Sequence, residues 1–161
     1  MKKLFYVSMM CLLALTMVQC GKGEEEVPDG YVDLGLPSGV LWKTENEPDR
    51  MDFDAAVSKY GSELPTATQF QELIDMCDWK WTGSGYKVIG PNGSFMNIRA
   101  KGDADCNGNL YSDGEAGFYW SSTPGEGLYA QYLTFVSNNI YISGSHVRCY
   151  KHSIRLVKGK K

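Results

Sequence analysis

The spacing of apolar residues changes at Cys77, and this change restricts the chain to a mixed fold. Up to that point, the apolar residues from Phe70 to Cys77 fall at i, i+3, i+4 and i+7, the repeat of one helix face. Beyond it, Trp79 and Trp81 alternate with polar residues, the repeat of a strand with one buried face. The chain is therefore predicted to be α+β, with two helices packed on short antiparallel strands.

Both predicted helices have recognisable ends. Asp52 can cap a first helix over residues 53–60, and Gly61 stands where a left-handed residue would end it. Thr66 and Gln69 have the spacing of a capping box for the second helix. We interpret the apolar faces of both helices as core surfaces, not as cofactor contacts.

Short strands are predicted on both sides of the helices, at 31–34, 40–44, 79–81, 86–89, 95–98, 118–122, 130–135, 140–142 and 152–157. Between them, residues 100–117 are polar and rich in glycine. An irregular stretch of that length in a compact domain is either functional or carries local structure of its own.

The amino terminus has the layout of a secretory signal. Two lysines precede an apolar run over residues 4–18, and Cys20 follows where the run ends. The run is shorter than the roughly 20 residues that a membrane-spanning helix needs. The segment 15–20 resembles a bacterial lipoprotein lipobox, which implies a signal peptide over residues 1–19 and lipidation at Cys20. The alternative is an ordinary cleaved signal with a chance cysteine.

Residues 20–30 are predicted to form a flexible acidic tether before a single domain over 31–158. Glycines and the run Glu24–Glu26 cannot bury apolar surface. An acidic tract behind the cysteine resembles the surface-export signal of Bacteroidetes lipoproteins, which implies an outer-membrane protein displayed on the cell surface. A plain solvated spacer, with the domain on the periplasmic face, is the alternative. A lipoprotein anchor with several acyl chains would attach firmly to the membrane.

The charge distribution argues against nucleic acid as a partner. The net charge is −3, and the basic residues near the carboxyl terminus form only a small tail. Phosphate backbones are bound by clustered Lys and Arg side chains, which this chain lacks.

Three cysteines remain once the signal and the lipid site are set aside: Cys77, Cys106 and Cys149. At most one intramolecular disulfide can form among them, and the sequence does not select the pair. Because there is no CxxC pair or Cys/His cluster, no zinc site is expected. His146 and His152 are interpreted as isolated surface or strand residues.

One segment has partial calcium-loop spacing. Asp103, Asp105 and Asn107 stand at positions 1, 3 and 5, and Gly108 stands at position 6. Position 12 is Gly114 instead of Glu, so a solvated turn is the competing interpretation. Calcium is the one cofactor considered, and otherwise none is predicted.

Aromatic residues are concentrated in the second half of the chain, and exposed aromatics stack on sugars or anchor protein interfaces. Tyr111, Tyr129 and Tyr150 are predicted to be exposed ligand-binding residues, whereas Trp81 and Trp120 are predicted to lie in the core. No nucleophile and base have the spacing of a catalytic pair, so no catalytic residue is assigned and the protein is not expected to be an enzyme.

Six ordered segments carry a family resemblance: YVDLGLPSGVLW, LPTATQFQELIDMCDWKWT, GYKVIGPNGSFMNI, GFYWSSTP, AQYLTFVSNNIYI and SIRLV. Together they resemble the Fibrobacter succinogenes major paralogous domain, a cell-surface module, over residues 31–157. The family often has a longer insertion between the Trp42 strand and the second helix, which is shortened here.

The resemblance implies a C-type-lectin-like fold with a long irregular loop region, in which a first strand near Tyr31 pairs with a last strand near Ile154. The tripeptides that hold the sugar-binding calcium of such lectins are absent, so calcium-dependent sugar binding is not implied. Fold alone does not decide function.

The expected function is that of a lipid-anchored, non-catalytic surface domain that recognises an extracellular glycan or protein. Two alternatives remain open from the sequence. One is a structural accessory subunit of a surface assembly, and the other is a hydrolase of envelope polysaccharide.

Overall fold

The computed structural model of the protein describes residues 26–160. The predicted signal peptide, the predicted lipid site at Cys20 and the first part of the tether lie outside this range. Within it the fold is α+β, with two helices and several small antiparallel sheets. No helix in the described range is long and apolar enough to span a bilayer.

The helices are α1, Phe53–Tyr60, and α2, Ala67–Met76, with a short 3-10 turn between them. The strands in chain order are β1 Tyr31–Asp33, β2 Val40–Lys43, β3 Asp78–Trp81, β4 Gly85–Ile89, β5 Phe95–Arg99, β6 Asp103–Ala104, β7 Leu110–Tyr111, β8 Gly117–Pro124, β9 Tyr129–Val136, β10 Asn139–Val147 and β11 Val157–Gly159.

The helix ends are those that the sequence predicts. The Asp52 carboxylate accepts the Ala55 N–H at 2.8 Å and caps α1. In α2 the Gln69 N–H donates to Thr66 Oγ1 at 3.1 Å, and the Thr66 N–H donates to Gln69 Oε1 at 2.8 Å. Both bonds of the capping box are therefore made, which satisfies two backbone donors that the helix leaves unpaired.

One sheet joins the two ends of the domain, in the order β1-β2-β11. The central strand β2 is antiparallel to both neighbours, with Trp42 opposite Val32 on one side and Val157 on the other. The expected direct pairing of the first and last strands is therefore wrong, because β2 lies between them.

The last strand also differs from the prediction of 152–157, since β11 begins only at Val157. His152 and Ser153 instead make isolated bridges to Met51 and Tyr119, and the residues from His152 to Val157 are all buried. This segment is buried along its whole length, including the polar residues His152, Ser153 and Arg155, so its partly alternating pattern does not indicate a sheet strand.

The remaining sheets are β3-β4-β5 and β10-β9-β8, together with the two-stranded β6-β7. The predicted hairpin after Cys77 is confirmed, with Trp79 opposite Val88 and Trp81 opposite Tyr86. The pair β6-β7 lies inside the stretch predicted to be irregular, so that loop carries local structure.

Two apolar clusters form the core. The larger one packs α2 against the sheets, with Trp42 and Phe70 rings 5.4 Å apart. The smaller one joins α1 to β8, β9 and the buried carboxyl-terminal segment, and it contains Trp120, which is fully buried as predicted. Trp81, predicted to be core, is only partly buried at the edge of the larger cluster.

A disulfide joins Cys106 to Cys149 and thereby selects one of the pairings that the sequence left open. It ties the turn after β6 to the segment after β10. Cys77 is a half-buried free thiol, and its burial raises the pKa to about 11.

Candidate functional site

Three potential metal-binding side chains converge beside the disulfide. Asp103, His146 and His152, here called the histidine cluster, each place one ligand atom within 4.8 Å of the other two. His146 Nδ1 lies 3.0 Å from His152 Nε2 and 3.6 Å from Asp103 Oδ2. His152 Nε2 lies 4.0 Å from the same carboxylate oxygen. Both imidazoles therefore direct a nitrogen towards one carboxylate.

Three chain segments supply the cluster. Asp103 lies in β6, and the next residue, Ala104, bridges to Lys151 of the carboxyl-terminal segment. His146 follows the register shift in β10 and pairs with Ala130 of β9. The cluster thus depends on contacts between segments more than 40 residues apart in sequence, which the disulfide, with its separation of 43, helps to hold together.

Aromatic rings surround the histidines and fix their orientation. The Trp120 ring stacks on His152 with centroids 3.8 Å apart and planes 19° apart. The Tyr150 and Tyr132 rings lie 4.5 and 4.7 Å from the His146 ring. These contacts restrict both imidazoles and lower the polarity around them.

Burial sets the protonation of the cluster. Desolvation lowers the pKa of His146, and the Asp103 charge partly offsets this effect. Desolvation also lowers the pKa of His152, to well below the usual value. Desolvation likewise raises the pKa of Asp103. Both imidazoles are therefore neutral at pH 7, the form in which a histidine nitrogen has a free lone pair.

A second candidate site is a groove between the edge strand β3 and the β9–β10 turn. It has a volume of about 430 Å³ and is called here the tryptophan groove. Its aromatic wall is formed by side chains of β3 and β4, and its polar wall by the turn. The lining residues are Ile74, Trp79, Trp81, Tyr86, Ser137, Asn138, Asn139 and Ile140.

The aromatic wall of this groove is held rigidly from behind. Trp79 donates its indole N–H to the Leu73 carbonyl at 3.1 Å, and Tyr86 donates its hydroxyl to the Val136 carbonyl at 2.9 Å. The Trp81 ring meets Tyr86 edge-on at 5.0 Å. Trp81 is partly exposed, and its indole N–H has no hydrogen-bond partner among residues 26–160.

The three predicted ligand-binding tyrosines lie in different surroundings. Tyr111 is 52% exposed on β7, with its hydroxyl 3.4 Å from Asp105 Oδ2. Tyr129 is 43% exposed and lines an open groove with Glu126 and other residues around the β8–β9 turn. Tyr150 is partly buried against His146. They therefore do not line one common groove in the described chain.

The predicted calcium ligands are engaged in different ways. Asp105 Oδ1 accepts the N–H groups of Asn107 and Asn109, and Oδ2 accepts the Asn109 side-chain amide at 2.9 Å. These bonds are those of a polar turn. Asp103, by contrast, is buried and faces the histidines. Calcium binding by Asp103, Asp105 and Asn107 stays a prediction, and the geometry groups Asp103 with other partners.

The sequence-based interpretation of the two histidines as isolated residues is wrong, because the fold brings them together. His146 does lie on a strand, but His152 is fully buried, and the two rings are in contact. Their six-residue spacing around Cys149 is a weak signal that they could approach each other. Nothing local in the sequence connects either of them to Asp103.

Comparison with known proteins adds no assignment to these sites. No protein-family model, no curated protein and no solved structure matches this chain.

Proposed function

We propose that the protein is a lipid-anchored domain of the outer membrane that is displayed on the cell surface and binds an extracellular glycan without catalysing a reaction. The observation that carries the proposal is the tryptophan groove, in which an aromatic wall faces a polar turn. The anchor rests on the lipobox-like segment ending at Cys20 and on the acidic tract that follows it.

The chemistry of the groove matches that of a sugar ring. Pyranose rings combine an apolar face of C–H groups with hydroxyls at the rim, and an indole can stack on that face. Across the groove, Asn138 and Asn139 are exposed and carry amides that both donate and accept hydrogen bonds. A few polar groups beside an apolar wall are typical of small-ligand sites.

The aromatic wall of the tryptophan groove is already in place before a ligand binds, which favours binding. Because Trp79 and Tyr86 are fixed by hydrogen bonds to the main chain, little side-chain entropy would be lost when a ligand binds. The exposed part of Trp81 and its unpartnered N–H then provide both a stacking surface and a donor.

The proposal also includes a family and a fold for the domain. We place the domain in the Fibrobacter succinogenes major paralogous family with a C-type-lectin-like fold, supported by the ordered motifs and by the α+β architecture. The position of β2 between β1 and β11 departs from the strand pairing that this family implies. In this proposal the sugar is bound without calcium, through aromatic stacking.

The test is a glycan array probed with the purified full chain, followed by calorimetric titration of the glycans that bind. We expect Trp81→Ala to weaken binding at least about tenfold, equivalent to roughly 1.4 kcal/mol. Tyr141→Ala is the matched control, since it removes an exposed aromatic that lines neither groove. We expect it to bind as the unchanged chain does.

Three outcomes would overturn the proposal. An array without any bound glycan rules out the glycan as the ligand. Equal affinity of the Trp81→Ala variant and the unchanged chain rules out the tryptophan groove as the binding site. Loss of binding in a Tyr129→Ala variant alone assigns the site to the groove at the β8–β9 turn.

A further inference from the structure

We propose that Asp103, His146 and His152 bind one divalent first-row transition-metal ion, with zinc as the best-matched ion. This site is independent of the tryptophan groove and of any glycan. The two histidines come from β10 and the carboxyl-terminal segment, and the carboxylate comes from β6.

The spacing of the three ligand atoms fits a metal ion. Their separations are 3.0, 3.6 and 4.0 Å. A point equidistant from atoms at these separations lies about 2.1 Å from each, which is the length of zinc bonds to histidine nitrogen and carboxylate oxygen. This point lies in the plane of the three atoms, so an ion with a fourth ligand would stand slightly outside the plane, and the side chains would rotate to keep these bond lengths.

The types of ligand select the class of metal. Two imidazole nitrogens and one carboxylate oxygen suit zinc and its neighbours in the first transition row. Calcium requires six to eight oxygen ligands, and this cluster offers one carboxylate. The selection is therefore for a transition metal over calcium at this position.

Without a cation, the Asp103 carboxylate is poorly compensated. It is only 4% exposed, yet the nearest imidazole nitrogens, at 3.6 and 4.0 Å, are beyond hydrogen-bond distance. Desolvation raises the pKa of Asp103 and outweighs its own backbone N–H and the Arg50 charge, which favour the ionised form. His146 Nδ1 and His152 Nε2 are hydrogen-bonded, so one of them carries a proton. When a divalent ion binds both nitrogens, that proton moves to the other nitrogen of the same ring, and the ion neutralises the carboxylate charge.

The surrounding structure holds the ligands in place before any metal arrives. The Cys106–Cys149 disulfide joins the turn three residues after Asp103 to the middle of the segment that carries both histidines. Stacking of Trp120 on His152 fixes the more buried imidazole. A preformed site of this kind avoids the ordering cost that a flexible site would incur.

One coordination position remains for a solvent molecule. The His146 side chain is 24% exposed, whereas that of His152 is inaccessible, so the cluster opens towards solvent on the His146 side. Three protein ligands with a fourth position for water is a common zinc arrangement.

The test uses the purified full chain, treated with chelator and then titrated with zinc or cobalt(II). Calorimetry should give one zinc ion per chain, and cobalt should give the visible absorption of a four-coordinate nitrogen–oxygen site. We expect His146→Ala and Asp103→Asn each to weaken zinc binding at least about tenfold. His146→Ala is the primary variant because its side chain is partly exposed, and circular dichroism checks that it folds.

Glu115→Gln is the matched control. It removes an exposed carboxylate from the same polar stretch, residues 100–117, that lies outside the histidine cluster, and zinc binding should be unchanged. Failure of the unchanged chain to bind zinc would overturn the proposal. So would equal zinc affinity in the folded His146→Ala variant, or a loss confined to an Asp105→Asn variant, which would place the metal in the loop instead.

Discussion

Removal of the Cys106–Cys149 disulfide should lower the free energy of unfolding by about 4 kcal/mol. The bond closes a loop with a sequence separation of 43, and the chain-entropy relation for a loop of this size gives that value at 25 °C. A typical domain has a total stability of roughly 5–15 kcal/mol, so this loss is a large fraction of the whole. The double variant Cys106→Ala/Cys149→Ala avoids the single unpaired thiol that either substitution alone would leave.

The measurement is urea unfolding of the full chain, followed by tryptophan fluorescence and circular dichroism. The double variant should unfold at lower urea and with a larger m-value, because its denatured state is more expanded. Cys77→Ala is the control, since Cys77 is a half-buried thiol outside the disulfide. A loss below about 1 kcal/mol with an unchanged m-value would refute the argument from loop closure.

Three further predictions concern single residues. Thr66→Ala should cost about 1 kcal/mol in urea unfolding because it removes the cap of α2, and an unchanged midpoint would contradict that role. Cys77 should react slowly with iodoacetamide near neutral pH in the folded chain and faster in urea, since burial raises its pKa to about 11; equal rates would show an accessible thiolate. In chelator, His152 has a folded-state pKa well below its unfolded value, so its contribution to stability is complete above about pH 6.5 and declines as the pH falls below it. Urea midpoints that stay constant between about pH 7 and 5.5 would contradict this sign.

Local signals predicted much of the fold. The capping box of Thr66 and Gln69 and the Asp52 cap depend on residues three apart, so their chemistry is complete within the sequence window. The same holds for the hairpin of β3 and β4, where alternation defines the buried face.

Contacts between residues far apart in the chain could not be predicted from such local patterns. The disulfide partners are 43 residues apart, and the choice among three cysteines depends on how β6 packs against the segment after β10. The histidine cluster depends on the same packing, so residues that seem isolated in the sequence meet in space. Likewise, the burial of residues 152–156 comes from neighbours on several elements, and the alternation of Ile154, Arg155 and Leu156 alone cannot distinguish that from a strand.

The three-stranded terminal sheet brings the entrance and the exit of the domain side by side. β1 and β11 flank β2, two strand spacings or roughly 10 Å apart, and Lys160 Nζ reaches Asp33 Oδ2 at 2.7 Å. A reporter protein or affinity tag attached at Lys160 would therefore emerge next to the tether that precedes Tyr31, and would lie close to any surface to which that tether is attached.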